Sequence, residues 1–217
     1  DIPGRLHGHE TGAVSEFVSV MRGCDQFCSY CIVPHVRGRE KSRAISDIRD
    51  EVQQLAAHGT REITLLGQNI TAYGLSERRS GKSFACKTTP FADLLEAVCD
   101  IPGIERVRFT SPHPKYLDTD IISALTTLPK VCNAFHVPLQ SGSDRILHSM
   151  RRGYTSNEYR RKIDILKERL PDVTFSTDII VGFPGETESD FHATRVLMND
   201  IGFDMAYIFK YSPRTGT

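Results

Sequence analysis

Three cysteines within eight residues, Cys24, Cys28 and Cys31, form the densest group of metal-ligating side chains in the chain. Thiolates in a C-x3-C-x2-C spacing wrap one side of an iron–sulfur cubane, holding three irons and leaving the fourth open to a small molecule. Structural iron–sulfur sites normally supply four cysteines, so a missing fourth ligand points to chemistry, as an open coordination position does in zinc sites. His35 follows Cys31 by four positions, which makes a closed Cys3His zinc site the alternative. His35 reads equally well as a loop residue with no ligand role. The other cysteines, Cys86, Cys99 and Cys132, are scattered singly. That scatter, with no export signal, argues against a disulfide framework. Cys99 and Cys132 read as buried core thiols.

The elements around these cysteines are read from hydrophobic period. Strands are expected over 17–21, 62–66, 106–110, 134–139, 173–181 and 205–211, and helices over 42–58, 91–99, 118–128, 156–169 and 188–201. Residues 76–90 are polar and read as a variable loop. Alternating strands and helices imply successive βα units and a parallel sheet, because parallel neighbours need crossover connections. Periodicity alone does not separate an open sheet from a curled one; six near-equal units favour an α/β fold built as a (βα)6 partial TIM-like barrel. Chemistry in such sheets gathers at the carboxyl ends of the strands. The residues there are the three cysteines, then Gly67, Gln68 and Asn69, then Ser111, Pro112 and His113, then Gln140, Ser141 and Gly142. Asp178 lies within the fifth strand, with Gly182 to Gly185 after it. For any single loop, turn chemistry accounts for the Gly and Pro; polar residues at the same end of several strands ask for more.

Composition excludes several classes. With 217 residues, 39% hydrophobic and 25% charged, the chain is of ordinary globular make-up. Twenty-seven basic residues balance 27 acidic ones, so it is no polycationic nucleic-acid binder, though local patches remain open. No apolar run approaches the roughly 18 residues of a membrane helix. The chain starts at Asp1, and the reading is of an excerpt from something longer.

The segment Cys24-Asp25-Gln26-Phe27-Cys28-Ser29-Tyr30-Cys31 resembles the CxxxCxΦC signature of radical S-adenosylmethionine enzymes, with Tyr30 as the aromatic residue. Arg22-Gly23-Cys24, Ile32-Val33-Pro34 and Arg37-Gly38-Arg39-Glu40 look like the methylthiotransferases within that group. Leu66-Gly67-Gln68-Asn69, Arg108-Phe109-Thr110-Ser111, His136 to Ser143 and Ile180 to Thr187 look like the MiaB type. The resemblance covers nearly everything from Val14 onward. It implies a 4Fe-4S cluster on Cys24, Cys28 and Cys31, with S-adenosylmethionine on the open iron and reductively cleaved to a 5′-deoxyadenosyl radical. It further implies methylthiolation at C2 of an isopentenylated adenosine 3′ of a tRNA anticodon. Gly67, Gln68 and Asn69 occupy the place where related enzymes contact the methionine end of S-adenosylmethionine, and Gln140, Ser141 and Asp178 are further candidate contacts. For the last three, structural hydrogen bonding is the competing role.

The resemblance also sets the expected organisation. Residues 1–15 would be a linker and 16–217 the catalytic domain, with a second-cluster amino-terminal domain and a carboxy-terminal RNA-binding (TRAM) domain missing. A second 4Fe-4S cluster belongs to the full-length enzyme only, so this chain is expected to cleave S-adenosylmethionine without completing sulfur insertion. An electron donor such as flavodoxin or ferredoxin, a monomeric state, no membrane partner and a cytoplasmic or organellar location complete the expectation. Residues 37–49 carry a net charge of +3 and 151–169 one of +4, against −4 over 186–204. Basic helices are usually solvated faces. The run Arg37, Arg39, Lys41, Arg43, however, directly follows the cysteine loop, where an anticodon stem-loop would enter, and phosphate contacts there would be weak and salt-dependent. Sister methylthiotransferases acting on threonylcarbamoyl-adenosine or on a ribosomal-protein aspartate are the nearest alternative; Gln68-Asn69 and Thr110 to His113 lean against both. A zinc-stabilised nucleic-acid-binding module is the remote one.

Overall fold

Alternation along the strands decides the architecture. In the computed structural model, which describes residues 12–81 and 87–217, the elements run in the order β1 (Ser15–Ser19), β2 (Met21–Arg22), α1 (Val33–Arg37), β3 (Lys41–Ser42), α2 (Ile45–Ala57), β4 (Glu62–Leu66), α3 (Leu75–Arg79), α4 (Pro90–Cys99), β5 (Arg106–Phe109), α5 (Thr119–Thr127), β6 (Ala134–His136), α6 (Asp144–Ser149), α7 (Ser156–Arg169), β7 (Thr174–Val181), α8 (Glu188–Ile201) and β8 (Met205–Lys210). Cys86 and most of the expected 1–15 linker lie outside the described residues. Val18, Ile63, Leu65, Val107, Phe135, Phe175 and Ile179 are buried in one core with Val52 of α2, Leu94 of α4, Ile121 of α5, Ile163 of α7 and Leu197 of α8. Each such side chain removed from water is worth roughly 1.5–3 kcal/mol. Phe17, of opposite parity in β1, is exposed, and in the edge strand β8 Met205, Tyr207, Ile208 and Phe209 are all exposed. A sheet buried on one face and open on the other has its helices on one side, which is how a parallel sheet curls toward a barrel.

The strands follow chain order. β1 pairs with β4 in parallel, placing Phe17 opposite Thr64, and β4 pairs with β5. β6, β7 and β8 are likewise parallel. The two halves join through the chain just before β6: Val107 N donates to Lys130 O at 2.7 Å and Cys132 N donates to Val107 O at 3.1 Å. Among the described residues β1 and β8 are edges, so the barrel is partial and its concave face is reachable.

Local chemistry explains the helix limits. α7 and α8 open on capping boxes, Thr155 with Glu158 and Thr187 with Asp190, each satisfying two amide donors the first turn leaves free. α8 stops at Gly202 in the left-handed conformation (φ 63°). Two expectations are corrected. The first strand ends at Ser19, because Met21 and Arg22 leave the parallel ladder to pair antiparallel with Lys41 and Ser42. The loop expected over 76–90 begins as α3, tied down where Ser42 N donates to Glu77 at 3.0 Å. α6 was not anticipated; Ser143 caps it and Ile146 and Leu147 bury its inner side. No helix among the described residues is long and apolar enough to cross a membrane.

Candidate functional site

The short β2–β3 hairpin closes a loop over 23–40 at the carboxyl end of the sheet. Gly23 sits at φ +79°, where a Cβ would lie 2.6 Å from the Gly38 carbonyl oxygen and closer still to that of Arg39; no other residue fits there. Gly23 N donates to Gln68 Oε1 at 2.6 Å and Cys24 N to Gly38 O at 3.1 Å. Cys31 N donates to Cys28 O at 3.0 Å, and Ser29 fastens the loop to α6 through N to Met150 O (3.1 Å) and Oγ to Ser149 O (2.8 Å). Cys24 and Cys28 are buried, Cys31 is half-buried, and all three are free thiols. Burial pushes the Cys24 thiol up to about 12 and raises that of Cys31, so these sulfurs become thiolates when a metal displaces the protons.

Two observations test what this loop would hold. His35 is exposed and meets the edge of Phe27, ring centroids 6.0 Å apart. Among the described residues no three His, Cys, Asp or Glu side chains, the three cysteines included, converge on a single-ion site. Arg152, only 5% exposed, directs Nη1 at Cys28 Sγ (3.6 Å) and the Tyr30 hydroxyl (3.4 Å), Nη2 at Pro138 O (3.0 Å) and Nε at the Tyr154 hydroxyl (3.1 Å). Burial raises the Tyr30 hydroxyl well above its usual range and raises that of Tyr154, so both are neutral. A buried guanidinium with no carboxylate calls for an anion. Three thiolates on an iron–sulfur cluster supply one, and the residues fit that group.

Gly67, Gln68 and Asn69 act on this loop from the end of β4. A Cβ on Gly67 would lie 2.7 Å from Met21 Cγ; Gln68 accepts from Gly23 as described. Asn69 is buried and donates Nδ2 to Glu40 Oε1 at 3.5 Å. Glu40, itself buried, also accepts from Asp25 N at 3.2 Å and stands 3.7 Å from Arg79; burial raises its carboxyl. Sequence reasoning missed Glu40 and Arg152, since polar residues in charged stretches carry no mark of burial, and it missed the exposed Arg79, whose contact with Glu40 spans distant segments.

A cavity of about 410 Å³ opens beside the loop, lined by Tyr30, Gln140, Asp178, Ile180, Phe209 and Arg214. Gln140 holds φ +71° while its N donates to Asp178 O (2.8 Å) and its O accepts from Ile180 N (3.0 Å). A non-glycine residue in that region costs about 1–3 kcal/mol and concentrates at functional sites. Asp178 Oδ2 lies 3.3 Å from His136 Nε2, and His136 Nδ1 is 2.9 Å from Ser176 Oγ. Ser141 is turned elsewhere: it is fully buried, 3.3 Å from the Thr194 hydroxyl, and accepts from Ser143 N at 3.2 Å. His113 is buried with Nδ1 accepting from Lys115 N at 3.3 Å and Nε2 without a partner. Burial, then Arg152 and two lysines, hold its imidazole neutral.

The basic run divides. Arg37, Arg39 and Lys41 are exposed, Arg39 pairing with Asp25 at 3.1 Å. Arg43 is drawn inward, 2.5 Å from Glu51 and donating to Ser19 O at 2.7 Å.

Comparison with known proteins agrees with this geometry. The chain is 52% identical over 201 residues to the tRNA-2-methylthio-N(6)-dimethylallyladenosine synthase of Sulfurihydrogenibium sp., covering 93% of this chain and 44% of the relative. The protein of the same name from Opitutus terrae is 52% identical over 221 residues, covering 99% of this chain and 45% of the relative. The chain thus spans somewhat under half the length of these curated relatives. Among solved structures, the radical S-adenosylmethionine methyltransferase TsrM from Kitasatospora setae, with cobalamin and a [4Fe-4S] cluster bound, superposes with a TM-score of 0.70 at 18% identity, covering 89% of this chain and 36% of that one. Methylornithine synthase does so at 0.60 and 15% identity, covering 94% and 55%. These two share the fold. The radical SAM superfamily model matches residues 18–198, from β1 into α8 and across the whole cysteine loop, and the chain belongs to that superfamily.

Proposed function

We propose that the chain is the radical-generating core of a tRNA methylthiotransferase that acts at C2 of isopentenylated adenosine 3′ of the anticodon. The observation that carries this is the three-thiol loop at the carboxyl end of an open parallel barrel, with a buried cation against it. The substrate follows the names of relatives about half identical to the chain. Cys24, Cys28 and Cys31 would hold a 4Fe-4S cluster. A cluster bound there would supply the one-electron reduction that cleaves S-adenosylmethionine. The protein's part is to hold and to exclude. Gln68 and Asn69 fix the loop through Gly23 and Glu40. Gln140 and Asp178 present polar atoms to the cavity that would receive S-adenosylmethionine, while Tyr30, Ile180 and Phe209 wall it with apolar surface that keeps water from a reactive intermediate. Arg37, Arg39 and Lys41 face solvent where an anticodon stem-loop would approach. Residues 16–217 serve as the catalytic domain of a longer, monomeric, cytoplasmic enzyme, and flavodoxin or ferredoxin would deliver the electron.

Anaerobic reconstitution with iron and sulfide tests the core reading. The expected protein is brown, bleaches with dithionite and turns S-adenosylmethionine into 5′-deoxyadenosine and methionine. A colourless protein that retains zinc refutes it. The full-length enzyme, assayed on isopentenylated and on threonylcarbamoylated tRNA, tests the substrate.

A further inference from the structure

Arg152 is the most deeply buried cation described, and no described carboxylate pairs with it. Its four hydrogen bonds go to two neutral hydroxyls, a backbone carbonyl and Cys28 Sγ. Its guanidinium also stands 5.3 Å from the centre of the Tyr154 ring. Tyr154 is braced in turn by donating to Leu139 O at 2.8 Å. The fork is therefore held from the β6 side, where Pro138 and Leu139 follow the strand, and it arrives at the cysteine loop already oriented.

Resting on the cluster reading above, we propose that Arg152 is a positioning residue for that cluster: it fixes Cys28 by a charged hydrogen bond and sets the cluster's reduction potential. Adding an electron makes the cluster more negative. A fixed cation within hydrogen-bond distance of one ligand sulfur stabilises the reduced state more than the oxidised one, and hydrogen bonds to the sulfurs together with burial are recognised determinants of iron–sulfur potentials. The low-dielectric surroundings strengthen the effect, because little water screens the charge. Arg rather than Lys suits the place: one planar fork reaches Cys28, Tyr30, Pro138 and Tyr154 together, and a single ammonium does not span them.

The test is a redox titration of the reconstituted chain, following visible absorption and the electron paramagnetic resonance of the reduced cluster, in wild type, Arg152→Lys and Arg152→Gln. In Arg152→Gln the ratio of reduced to oxidised cluster at a fixed potential should fall at least tenfold, a shift of about 59 mV to lower potential for a one-electron couple. Arg152→Lys keeps the charge and should lie between the two. Equal potentials in all three proteins, with full iron and sulfide content, overturn the proposal, even if melting temperatures differ, since a purely structural role moves stability and not potential. Should Arg152→Gln fail to retain a cluster, the lysine variant carries the test: a potential equal to wild type overturns the proposal and a lowered one supports it. A wild-type chain that takes up no redox-active cluster overturns this inference together with the reading beneath it.

Discussion

Replacing Gly23 by alanine strikes the cysteine loop at its tightest point. The left-handed backbone at φ +79° costs a residue with a Cβ about 1–2 kcal/mol. The new methyl would sit 2.6 Å from the Gly38 carbonyl oxygen and closer to that of Arg39, so the β2–β3 closure must spread. Spreading it loosens two hydrogen bonds, Gly23 N to Gln68 Oε1 and Cys24 N to Gly38 O, each worth about 1 kcal/mol. The total is about 3–4 kcal/mol, and it falls on the loop: the hairpin has only two residue pairs, Met21 with Ser42 and Arg22 with Lys41, and opens without dismantling the helix-covered core. At about 1.4 kcal/mol per tenfold, Gly23→Ala should weaken cluster retention by about 100- to 1,000-fold. Iron and sulfide per chain, followed through a chelator titration, measure this. Gly202→Ala is the control: it shares a positive φ of 63° but would meet nothing within 4 Å. It should cost about 1 kcal/mol, lower the melting temperature by about 2–4 °C and leave retention unchanged. A Gly23→Ala protein that holds its cluster as firmly as wild type refutes the reasoning.

Arg43→Ala removes the ion pair with Glu51 and the hydrogen bond to Ser19 O and should cost about 2–3 kcal/mol, seen as a fall of about 4–12 °C in melting temperature. Arg37→Ala and Lys41→Ala should move stability by less than about 0.5 kcal/mol. Each should weaken binding of an isopentenylated anticodon stem-loop and reduce its salt slope by about one, read by fluorescence anisotropy at several salt concentrations. Arg145, Ser143 and Thr187 hold the Asp190 carboxyl well below its ordinary 3.8. The stability it contributes is present above that unfolded value and is lost as pH falls through the folded one. The melting difference between wild type and Asp190→Asn should therefore be constant from pH 7 to 5 and shrink below about 3.8. Burial depresses His113, so the unfolded chain takes up that proton first. The stability tied to the neutral imidazole is full above about 6.5 and declines below it, and His113→Gln should lose less stability than wild type between pH 7.5 and 5 in urea titrations.

Most of the frame was legible because it rests on period and on local chemistry. Thr155 with Glu158 and Thr187 with Asp190 mark the starts of α7 and α8 in the residues themselves, and both helices fall on their expected bounds. The six parallel strands also emerge in order. α6 was missed because six residues are too few for a periodic signal; Ser143 and two buried side chains hold it. The site's charges were harder still. Arg152 sits in a stretch whose charge balance reads as a solvated basic face, yet Cys28, 124 residues earlier, lies against it. Glu40 is likewise decided by a long-range neighbour, Asn69, that no short window contains.

The same long-range placement explains why a chain of zero net charge builds a site of this kind. Its cysteine loop has few apolar anchors; it is held by Gln68, Asn69 and Glu40 on one side and by Arg152 and the α6 carbonyls on the other. Such contacts fix direction and contribute modestly to stability, and Arg152 without an anion opposes it. The core supplies that stability from elsewhere, through the helix-covered face of the sheet. Thiols raised by burial would ionise on binding metal. A perturbation on either side of the loop, at Gly23 or at Arg152, would reach a cluster held by these sulfurs through the contacts that fix the loop.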